Sequence, residues 1–155
     1  MTARAVGLMI VAAALVGCGP FPHAGTQPVI GHVGGSATYQ TIVGGRAKVQ
    51  VFIRDFDRPV PHVVLTFVGE RNWLLQHGSI TNDFSACQIG NGRLDCGAIS
   101  TLERENIFFS GVATRAGAFQ YTLAVSSEQD GHLEPIHAAD GGPLIMRWVE
   151  VVNAQ

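Results

Sequence analysis

Residues 87–96 read Cys-Gln-Ile-Gly-Asn-Gly-Arg-Leu-Asp-Cys, and this stretch predicts a β-hairpin with a cysteine at each open end. Asn91-Gly92 is typical of a two-residue type I′ turn, because both central positions of that turn need positive φ. Counting outward from the turn gives four directly opposed pairs: Gly90 with Arg93, Ile89 with Leu94, Gln88 with Asp95, and Cys87 with Cys96. The hairpin therefore has a predicted register as well as a predicted position.

The two cysteines oppose each other at the open end of this hairpin. Opposed residues share a face and faces alternate, so Cys87 and Cys96 lie on the apolar face with Ile89 and Leu94. A non-hydrogen-bonded pair at this position has Cα atoms about 4.5 Å apart, near the short end of the disulfide range. We predict a disulfide that contributes about 2.7 kcal/mol through loop entropy. The alternative is two free buried thiols, and a zinc site would need more ligands than the hairpin supplies.

Apolar residues alternate with polar ones in several further segments beyond residue 36. Val49, Val51 and Ile53, for example, share one predicted face of a strand. Besides the hairpin, strands are predicted at 37–43, 48–54, 62–68, 107–114, 119–125 and 144–152. Short strands separated by Gly, Pro, Asn and Asp are typical of an all-β sandwich. We therefore expect residues 36–155 to form one antiparallel β-sandwich of seven to nine strands.

The first 17 residues have the pattern of an export signal. Arg4 supplies a positive charge, and residues 6–16 form an uncharged apolar run. A membrane-spanning helix needs roughly 20 residues to cross a hydrocarbon core of about 30 Å, so this run is too short to span one. Gly19-Pro20 also disfavours a transmembrane anchor, because it would interrupt such a helix.

Leu15-Val16-Gly17-Cys18 resembles the bacterial lipobox, in which a cysteine follows a leucine, a small or β-branched residue, and glycine or alanine. The resemblance implies that residues 1–17 are a lipoprotein signal peptide, cleaved before Cys18, and that Cys18 then carries lipid. Two or three acyl chains anchor a protein stably, since each buried CH₂ contributes about 0.8 kcal/mol. We therefore expect an exported bacterial protein, anchored on the outer face of the cytoplasmic membrane or in the outer membrane. The alternative is an ordinary secretory signal with a cysteine here by chance.

Residues 18–35 are predicted to be a flexible tether that follows the lipidated cysteine. Three prolines and five glycines between residues 19 and 35 disfavour a helix or a central strand. Fully extended, this segment would reach at most about 55 Å. His23 and His32 are interpreted as solvated residues of the tether rather than as metal ligands.

Residues 47–127 resemble the bacterial surface-protein repeat domain of unknown function, which adopts an immunoglobulin-like sandwich. The matching features are the Val/Ile strands around a proline-containing turn, the Trp73 region, the two hairpin cysteines followed by Gly97, and the strands at 107–112 and 119–126. Where that family has a polar-Gly-Pro turn, this chain has Asp-Phe-Asp-Arg-Pro at 55–59. The resemblance implies an immunoglobulin-like stalk, spacer or adhesive module without catalysis.

The charge of the chain argues against some classes of partner. Charged residues make up 14% of the chain, and its formal net charge is −2. Lys48 is the one lysine in the sequence. We therefore expect neither nucleic-acid binding nor a polybasic membrane patch. The expected partners are the membrane, through lipid on Cys18, and an envelope or surface protein.

The segment 130–140 has a composition that suits a metal site. Its two histidines and three carboxylates are groups that ligate Zn²⁺ or, through the carboxylates, Ca²⁺. The segment also joins two predicted strands and ends in Asp-Gly-Gly-Pro, which favours a solvated loop. If the loop binds a metal, His132, Glu134 and His137 are the expected ligands. No other metal and no cofactor is predicted.

Three aromatic residues are open to a structural or a functional interpretation. Tyr121 is either a tyrosine-corner residue, whose hydroxyl bonds back to the chain, or an ordinary strand aromatic. Trp73 and Trp148 are interpreted as packing residues, with a sugar-binding platform as the alternative. The sequence lacks the nucleophile-elbow, zinc-protease, dinucleotide-binding and phosphate-loop motifs. We therefore expect a non-enzymatic interaction or structural module, and the alternative is a ligand- or metal-binding lipoprotein that uses the 130–140 loop.

Overall fold

A computed structural model describes residues 27–155, which form two packed β-sheets. The strands are β1 (His32–Ala37), β2 (Gln40–Ile42), β3 (Arg46–Arg54), β4 (Val60–Phe67), β5 (His77–Phe84), β6 (Gln88–Gly90), β7 (Arg93–Ile99), β8 (Glu105–Ala113), β9 (Gly117–Gln129), β10 (His132–Pro135) and β11 (Ile145–Asn153). A short helix, α1 (Trp73–Gln76), precedes β5. The first sheet has the strand order β1-β3-β8-β5. The second has the order β2-β11-β9-β4-β7-β6, with β10 beside β9.

The predicted all-β, immunoglobulin-like sandwich is confirmed, with two differences in detail. The described residues contain eleven strands rather than seven to nine, because the chain also forms β5 and β10 and divides 37–43 between two sheets. The chain leaves the first sheet after Ala37 and enters the second as β2. There it pairs with β11 in parallel, so the second sheet is mixed rather than wholly antiparallel.

Strand β3 shows how the alternating pattern builds the core. Ala47, Val49, Val51 and Ile53 are buried, whereas the residues between them are half-buried or exposed. Fully burying a side chain of this size stabilises the fold by about 1.5–3 kcal/mol. The inward faces of β4 and β9 complete the core from the opposite sheet, as Leu65 illustrates with no exposed surface.

The hairpin register is confirmed pair by pair. Gln88 opposes Asp95, Ile89 opposes Leu94, and Gly90 opposes Arg93. Asn91 and Gly92 both have positive φ, at 51° and 71°, as a type I′ turn requires. The disulfide between Cys87 and Cys96 is present, with both residues buried and their Cα atoms 3.9 Å apart. The turn sequence alone was therefore sufficient to place the bridge.

The sandwich begins earlier than the sequence predicts, inside the segment assigned to the tether. β1 starts at His32, and its residues pair with β3 from His32 opposite Arg54 to Ala37 opposite Val49. The glycines that suggested flexibility have a packing role instead. A Cβ at Gly34 would collide with the Phe52 ring, and one at Gly35 would collide with the Gln50 carbonyl. The tether prediction is therefore wrong for residues 32–35, where glycine allows an edge strand to approach its neighbour closely.

His32 is exposed, as predicted, but it lies on β1 rather than in a linker. Its ring stacks on Phe52 with centroids 5.9 Å apart. Upstream, Ile30 forms an isolated bridge with His137, and the Gly31 amide donates to the His137 carbonyl at 2.9 Å. In the part of the chain from residue 27 onward, no helix has the length and apolar character needed to cross a bilayer.

Candidate functional site

Several predicted features lie outside the described residues. These are the signal peptide at 1–17, the lipid-bearing Cys18, and His23. The first described residue, Gln27, lies at the end of the sandwich where β3 turns into β4, because the Arg58 guanidinium donates to the Gln27 carbonyl at 3.4 Å. The predicted anchor would therefore join the sandwich at this end.

The segment 130–140 is folded rather than an extended loop. Asp130 and Gly131 both have positive φ and form the turn of a second hairpin, in which β10 pairs with β9. His132 and Glu134 lie on β10 and are exposed. His137 lies beyond β10, and its Nδ1 is 2.8 Å from the Gly141 carbonyl. The prediction of a loop is therefore wrong for residues 132–135, where the Asp-Gly turn allows the chain to extend the sheet, but most of the segment is exposed, as predicted.

The three predicted ligands do not meet at one point. Glu134 and His137 line a cavity of about 300 Å³ beside Gln27 and Arg58, but His132 is not part of its wall. Among residues 27–155, the group of three ligand-type side chains close enough to share an ion consists of His62, Asp95 and Glu128. The candidate metal site therefore lies on strands β4, β7 and β9 rather than in the 130–140 segment.

The two tryptophans contact other aromatic rings in the sandwich. Trp73 has no exposed surface and lies edge-on to Phe109 at 5.1 Å. Trp148 is half-buried and contacts Tyr121 and Phe67, with ring centroids 5.4 and 5.9 Å away. Both contacts agree with a packing role rather than an exposed sugar-binding platform.

A buried histidine–carboxylate cluster joins the two sheets, and no sequence pattern predicts it. Glu150 on β11 is fully buried and contacts both His77 and Trp73. The Trp73 indole donates to Glu150 Oε2 at 2.9 Å, and His77 Nε2 lies 3.1 Å from Oε1. His77 Nδ1 lies 2.9 Å from the Trp73 carbonyl, which can only accept. Each polar side-chain atom of His77 and Glu150 therefore has a hydrogen-bond partner within the cluster. We refer to these three residues as the inner cluster.

Tyr121 lies next to the inner cluster and is not a tyrosine corner. Its hydroxyl donates to the Gln76 side-chain carbonyl at 3.0 Å rather than to a backbone group. Burial raises the pKa of Tyr121 to about 12, and the negative charge of Glu150 adds to that effect. Tyr121 is therefore an ordinary strand aromatic with a satisfied hydroxyl.

A second histidine–carboxylate cluster lies on the outer face of the second sheet. His62, Asp95 and Glu128 come from the neighbouring strands β4, β7 and β9, and Arg93 of β7 completes the group. His62 Nε2 is 2.7 Å from Asp95 Oδ1, and His62 Nδ1 is 3.6 Å from Glu128 Oε2. Arg93 Nη2 is 3.3 Å from Glu128 Oε2 and 3.6 Å from Asp95 Oδ2. We refer to these four residues as the outer cluster.

The side chains of the outer cluster are partly exposed to solvent, but they lie close enough for each charge to affect the others. The side chains of His62 and Asp95 are 36% and 35% exposed, and that of Glu128 is 17% exposed. Partial burial raises the pKa of Asp95, but hydrogen bonds from His62 and the Gly97 amide, together with nearby positive charge, leave that pKa below its usual value. Asp95 therefore stays ionised and can bind a cation at neutral pH.

Sequence patterns could not have revealed the outer cluster. Asp95 was correctly predicted on the polar face of the hairpin, but His62 and Glu128 are 33 residues away from it on either side. Their meeting depends on β4 lying between β7 and β9. It also depends on two register shifts in β4 between Val60 and Val64, which interrupt the regular alternation beside His62.

The outer face of the first sheet carries a groove of about 1030 Å³. Phe84 and Phe108 form part of its wall, with ring centroids 6.3 Å apart, and the Phe84 residue is 70% exposed. The positively charged Arg46 and Lys48 line the same groove. Hydrogen bonds from neighbouring hydroxyl groups lower the pKa of the one acidic wall residue, Asp83. We refer to this feature as the Phe84 groove.

Comparisons with known proteins place the chain in no family. No protein-family model matches it, so the resemblance to the surface-protein repeat domain is not supported at the level of family. No curated protein matches it either.

Several solved structures are similar in outline. The crystal structure of the CARDB domain of a Pyrococcus furiosus protein, in complex with di-metal ions, is 12% identical with a TM-score of 0.47, and the match covers 84% of this chain and 98% of that one. A solution structure of the same domain is 13% identical with a TM-score of 0.44, over 81% of this chain and 94% of that one. A family 123 glycoside hydrolase from Clostridium perfringens is 7% identical with a TM-score of 0.45, and the match covers 83% of this chain but only 28% of the hydrolase. Similarities at this level do not extend to activity, ligands or partners.

Proposed function

We propose that this protein is a lipid-anchored module of the bacterial cell envelope with a non-enzymatic interaction role. The lipid is carried by Cys18, and the sandwich presents the Phe84 groove to a protein partner. The observation that carries the interaction role is the exposed Phe84 ring, which packs beside the half-buried Phe108 in a groove of about 1030 Å³. Contiguous apolar surface rimmed by polar residues marks interaction sites, and here the two rings are bordered by Arg46, Lys48 and Asp83.

The arrangement of the three cysteines supports the anchor. Two of them, Cys87 and Cys96, are joined within the fold, which leaves Cys18 as the third. Disulfides persist in oxidising compartments outside the cytoplasm, so the bridge agrees with export. The lipobox-like sequence before Cys18 supplies the chemical reason for its lipidation.

The early start of the sandwich shortens the expected spacer. Eight residues, 19–26, separate Cys18 from Gln27, whose carbonyl accepts a hydrogen bond from Arg58 of the sandwich, and they can reach at most about 28 Å when fully extended. The end of the sandwich that holds Gln27 and Arg58 would then face the membrane. The sandwich would lie close to the lipid surface rather than on a long stalk.

The hydrogen bonds of the histidines support a role without catalysis. Within residues 27–155, the ring nitrogens of His62 and His77 contact carboxylates and one backbone carbonyl. In these contacts neither ring meets a hydroxyl or thiol group that it could activate as a nucleophile.

Membrane fractionation tests the anchor. The wild-type protein should sediment with membranes and become labelled when cells are fed an alkyne-tagged fatty acid. Cys18→Ser should abolish labelling and leave an uncleaved or soluble product, whereas Cys87→Ala with Cys96→Ala should still be labelled. An unlabelled wild-type protein, or equal labelling of Cys18→Ser, would contradict the anchor.

Cross-linking in intact cells tests the interaction role. A photoreactive residue at position 50, in the wall of the Phe84 groove, should give a discrete cross-linked protein. Phe84→Ser in the same chain should remove that product because it removes the exposed ring. Leu75→Ser is the matched control, since Leu75 is 74% exposed but lies outside the groove. A product that survives Phe84→Ser, or none at all, would contradict the role of the groove.

A further inference from the structure

The outer cluster combines three metal-ligand types on a rigid scaffold. One ligand atom each from His62, Asp95 and Glu128 lies within 4.8 Å of the other two. The side chains project from three adjacent hydrogen-bonded strands, so their backbones are fixed relative to one another. Sites built on strands hold their geometry better than sites on loops.

The distances require only side-chain adjustment to hold an ion. Ligand atoms about 2.0–2.2 Å from a Zn²⁺ ion are about 3.3–3.5 Å apart in tetrahedral geometry. Asp95 lies 2.7 Å from His62 Nε2 and Glu128 lies 3.6 Å from Nδ1, so a shared ion requires the imidazole and the Glu128 side chain to turn until one ring nitrogen faces both carboxylates. An imidazole with two carboxylates suits Zn²⁺ better than Ca²⁺, which takes six to eight oxygen ligands. Because all three side chains keep some exposure, water can reach the fourth position.

Arg93 is the natural competitor for such an ion. Its guanidinium lies between the two carboxylates and contacts both. Its side chain is 37% exposed and is long enough to turn toward solvent without disturbing β7. The two carboxylates would therefore exchange one positive partner for another.

We propose that His62, Asp95 and Glu128 form a Zn²⁺-binding site in which Arg93 occupies the carboxylates when the metal is not bound. When the metal binds one ring nitrogen of His62, the proton on that nitrogen moves to the other ring nitrogen or to solvent, and the guanidinium of Arg93 is released from the carboxylates. Because imidazole binds metal only when a ring nitrogen is unprotonated, affinity falls as the pH is lowered. The site is independent of the lipid anchor and of the Phe84 groove.

Isothermal titration calorimetry with Zn²⁺ tests the site on the purified full-length exported protein without a histidine tag. Wild type should bind one Zn²⁺ and melt at a higher temperature with the ion present. His62→Ala should weaken binding at least about tenfold, and Asp95→Asn and Glu128→Gln should each weaken it as well. Arg93→Met should tighten binding about threefold, because it removes the competing charge and keeps the apolar stem.

A double variant on the adjacent hairpin provides the matched control. His132→Ala with Glu134→Gln removes the same residue types from exposed positions of β10 and should leave the affinity unchanged. The visible absorption of bound Co²⁺ gives a second measurement, since its bands should appear in wild type and disappear in His62→Ala. Far-UV circular dichroism confirms that each variant is folded.

Three results would overturn the proposal. The first is no heat and no melting shift with Zn²⁺ in the wild-type protein. The second is a His62→Ala variant that binds Zn²⁺ as tightly as wild type. The third is an Arg93→Met variant that binds Zn²⁺ more weakly than wild type. None of these results bears on lipidation of Cys18 or on cross-linking at the Phe84 groove, so failure of this proposal and failure of the proposed function are distinguishable.

Discussion

The inner and outer clusters contain the same pair of chemical groups on opposite faces of one sheet. In the inner cluster, His77 and Glu150 are sealed between the sheets, with 3% and 1% of their side chains exposed. In the outer cluster, His62 and Asp95 are each about one-third exposed. Trp73 supplies the other hydrogen-bond partners of the inner pair, whereas in the outer cluster Arg93 contacts the carboxylates of both Asp95 and Glu128.

The difference shows that burial, rather than residue type, decides what such a pair does. A buried charge without its partner costs several kcal/mol, so the inner pair can only be kept or replaced as a unit. An exposed pair contributes about 0–1 kcal/mol and can change partners at little cost. We therefore assign the inner cluster to the fold and the outer cluster to exchangeable binding.

The largest expected effect comes from breaking the inner cluster. Glu150→Ala leaves the His77 ring and the Trp73 indole without their buried acceptor and should lower the free energy of unfolding by about 3–5 kcal/mol. Glu128→Ala, the matched change in the outer cluster, should lower it by less than about 1 kcal/mol. Urea denaturation of both variants measures the contrast, and equal losses would contradict it.

Removing the disulfide should have the next largest effect. Cys87→Ala with Cys96→Ala should lower the free energy of unfolding by about 2.7 kcal/mol, because the bridge no longer restricts the unfolded chain. The bridge lies next to Asp95, so the outer cluster should loosen while the environment of Trp73 stays native. Urea denaturation followed by tryptophan fluorescence measures the free energy of unfolding, and the emission spectrum of the folded variant reports the environment of the tryptophans. A shifted emission spectrum of the folded variant would show that loss of the disulfide also disturbs the inner cluster, and would contradict the prediction.

Alkaline titration examines the inner region through Tyr121. Its pKa is raised to about 12, against about 10 in the unfolded chain, so the folded state holds the phenolic proton more tightly. The stability that this provides is complete below about pH 10 and is lost as the pH rises through about 12. Absorbance of tyrosinate should show a late ionisation that is missing in Tyr121→Phe. If Tyr121 ionised near pH 10 in the folded protein, the described burial would be wrong.

Acid titration examines the outer region, where we expect the smallest effect. The pKa of Asp95 is lowered on folding, so its contribution is present at neutral pH, above the unfolded value of about 3.9, and is lost as the pH falls through the folded value. Because Asp95 is one-third exposed, Asp95→Asn should cost no more than about 1 kcal/mol at pH 7. The cost should be smaller at low pH, where Asp95 becomes protonated. Thermal unfolding at the two pH values tests this, and a pH-independent cost would point to packing instead.

A region can be predicted from the sequence when the residues that interact in it are close together along the chain. The Cys87–Cys96 bridge depends on ten consecutive residues, and Asn91-Gly92 is sufficient to set its register. The segment at 34–35 was misassigned because glycine suits both a flexible tether and a strand that packs closely on Phe52. Local sequence cannot distinguish these two uses of glycine.

Neither cluster could be predicted from the sequence, because each depends on which strands become neighbours in the fold. Glu150 meets His77 across 73 residues, and His62 meets Asp95 across 33. Such contacts follow from which strands become neighbours, which alternation alone does not specify. The 130–140 segment drew attention because its ligand types are close in sequence, but His132, Glu134 and His137 diverge along β10 and the turn that follows it.

Nuclear magnetic resonance of the histidine rings tests the contrast between the clusters most directly. Ring ¹H–¹⁵N correlations of the tag-free protein would be recorded during a Zn²⁺ titration, with the signal of His62 assigned from its absence in His62→Gln. We predict that the His62 signals shift or broaden at one equivalent of Zn²⁺ while those of His77 stay unchanged. Unchanged His62 signals, or signals of His77 that respond to the ion, would contradict it.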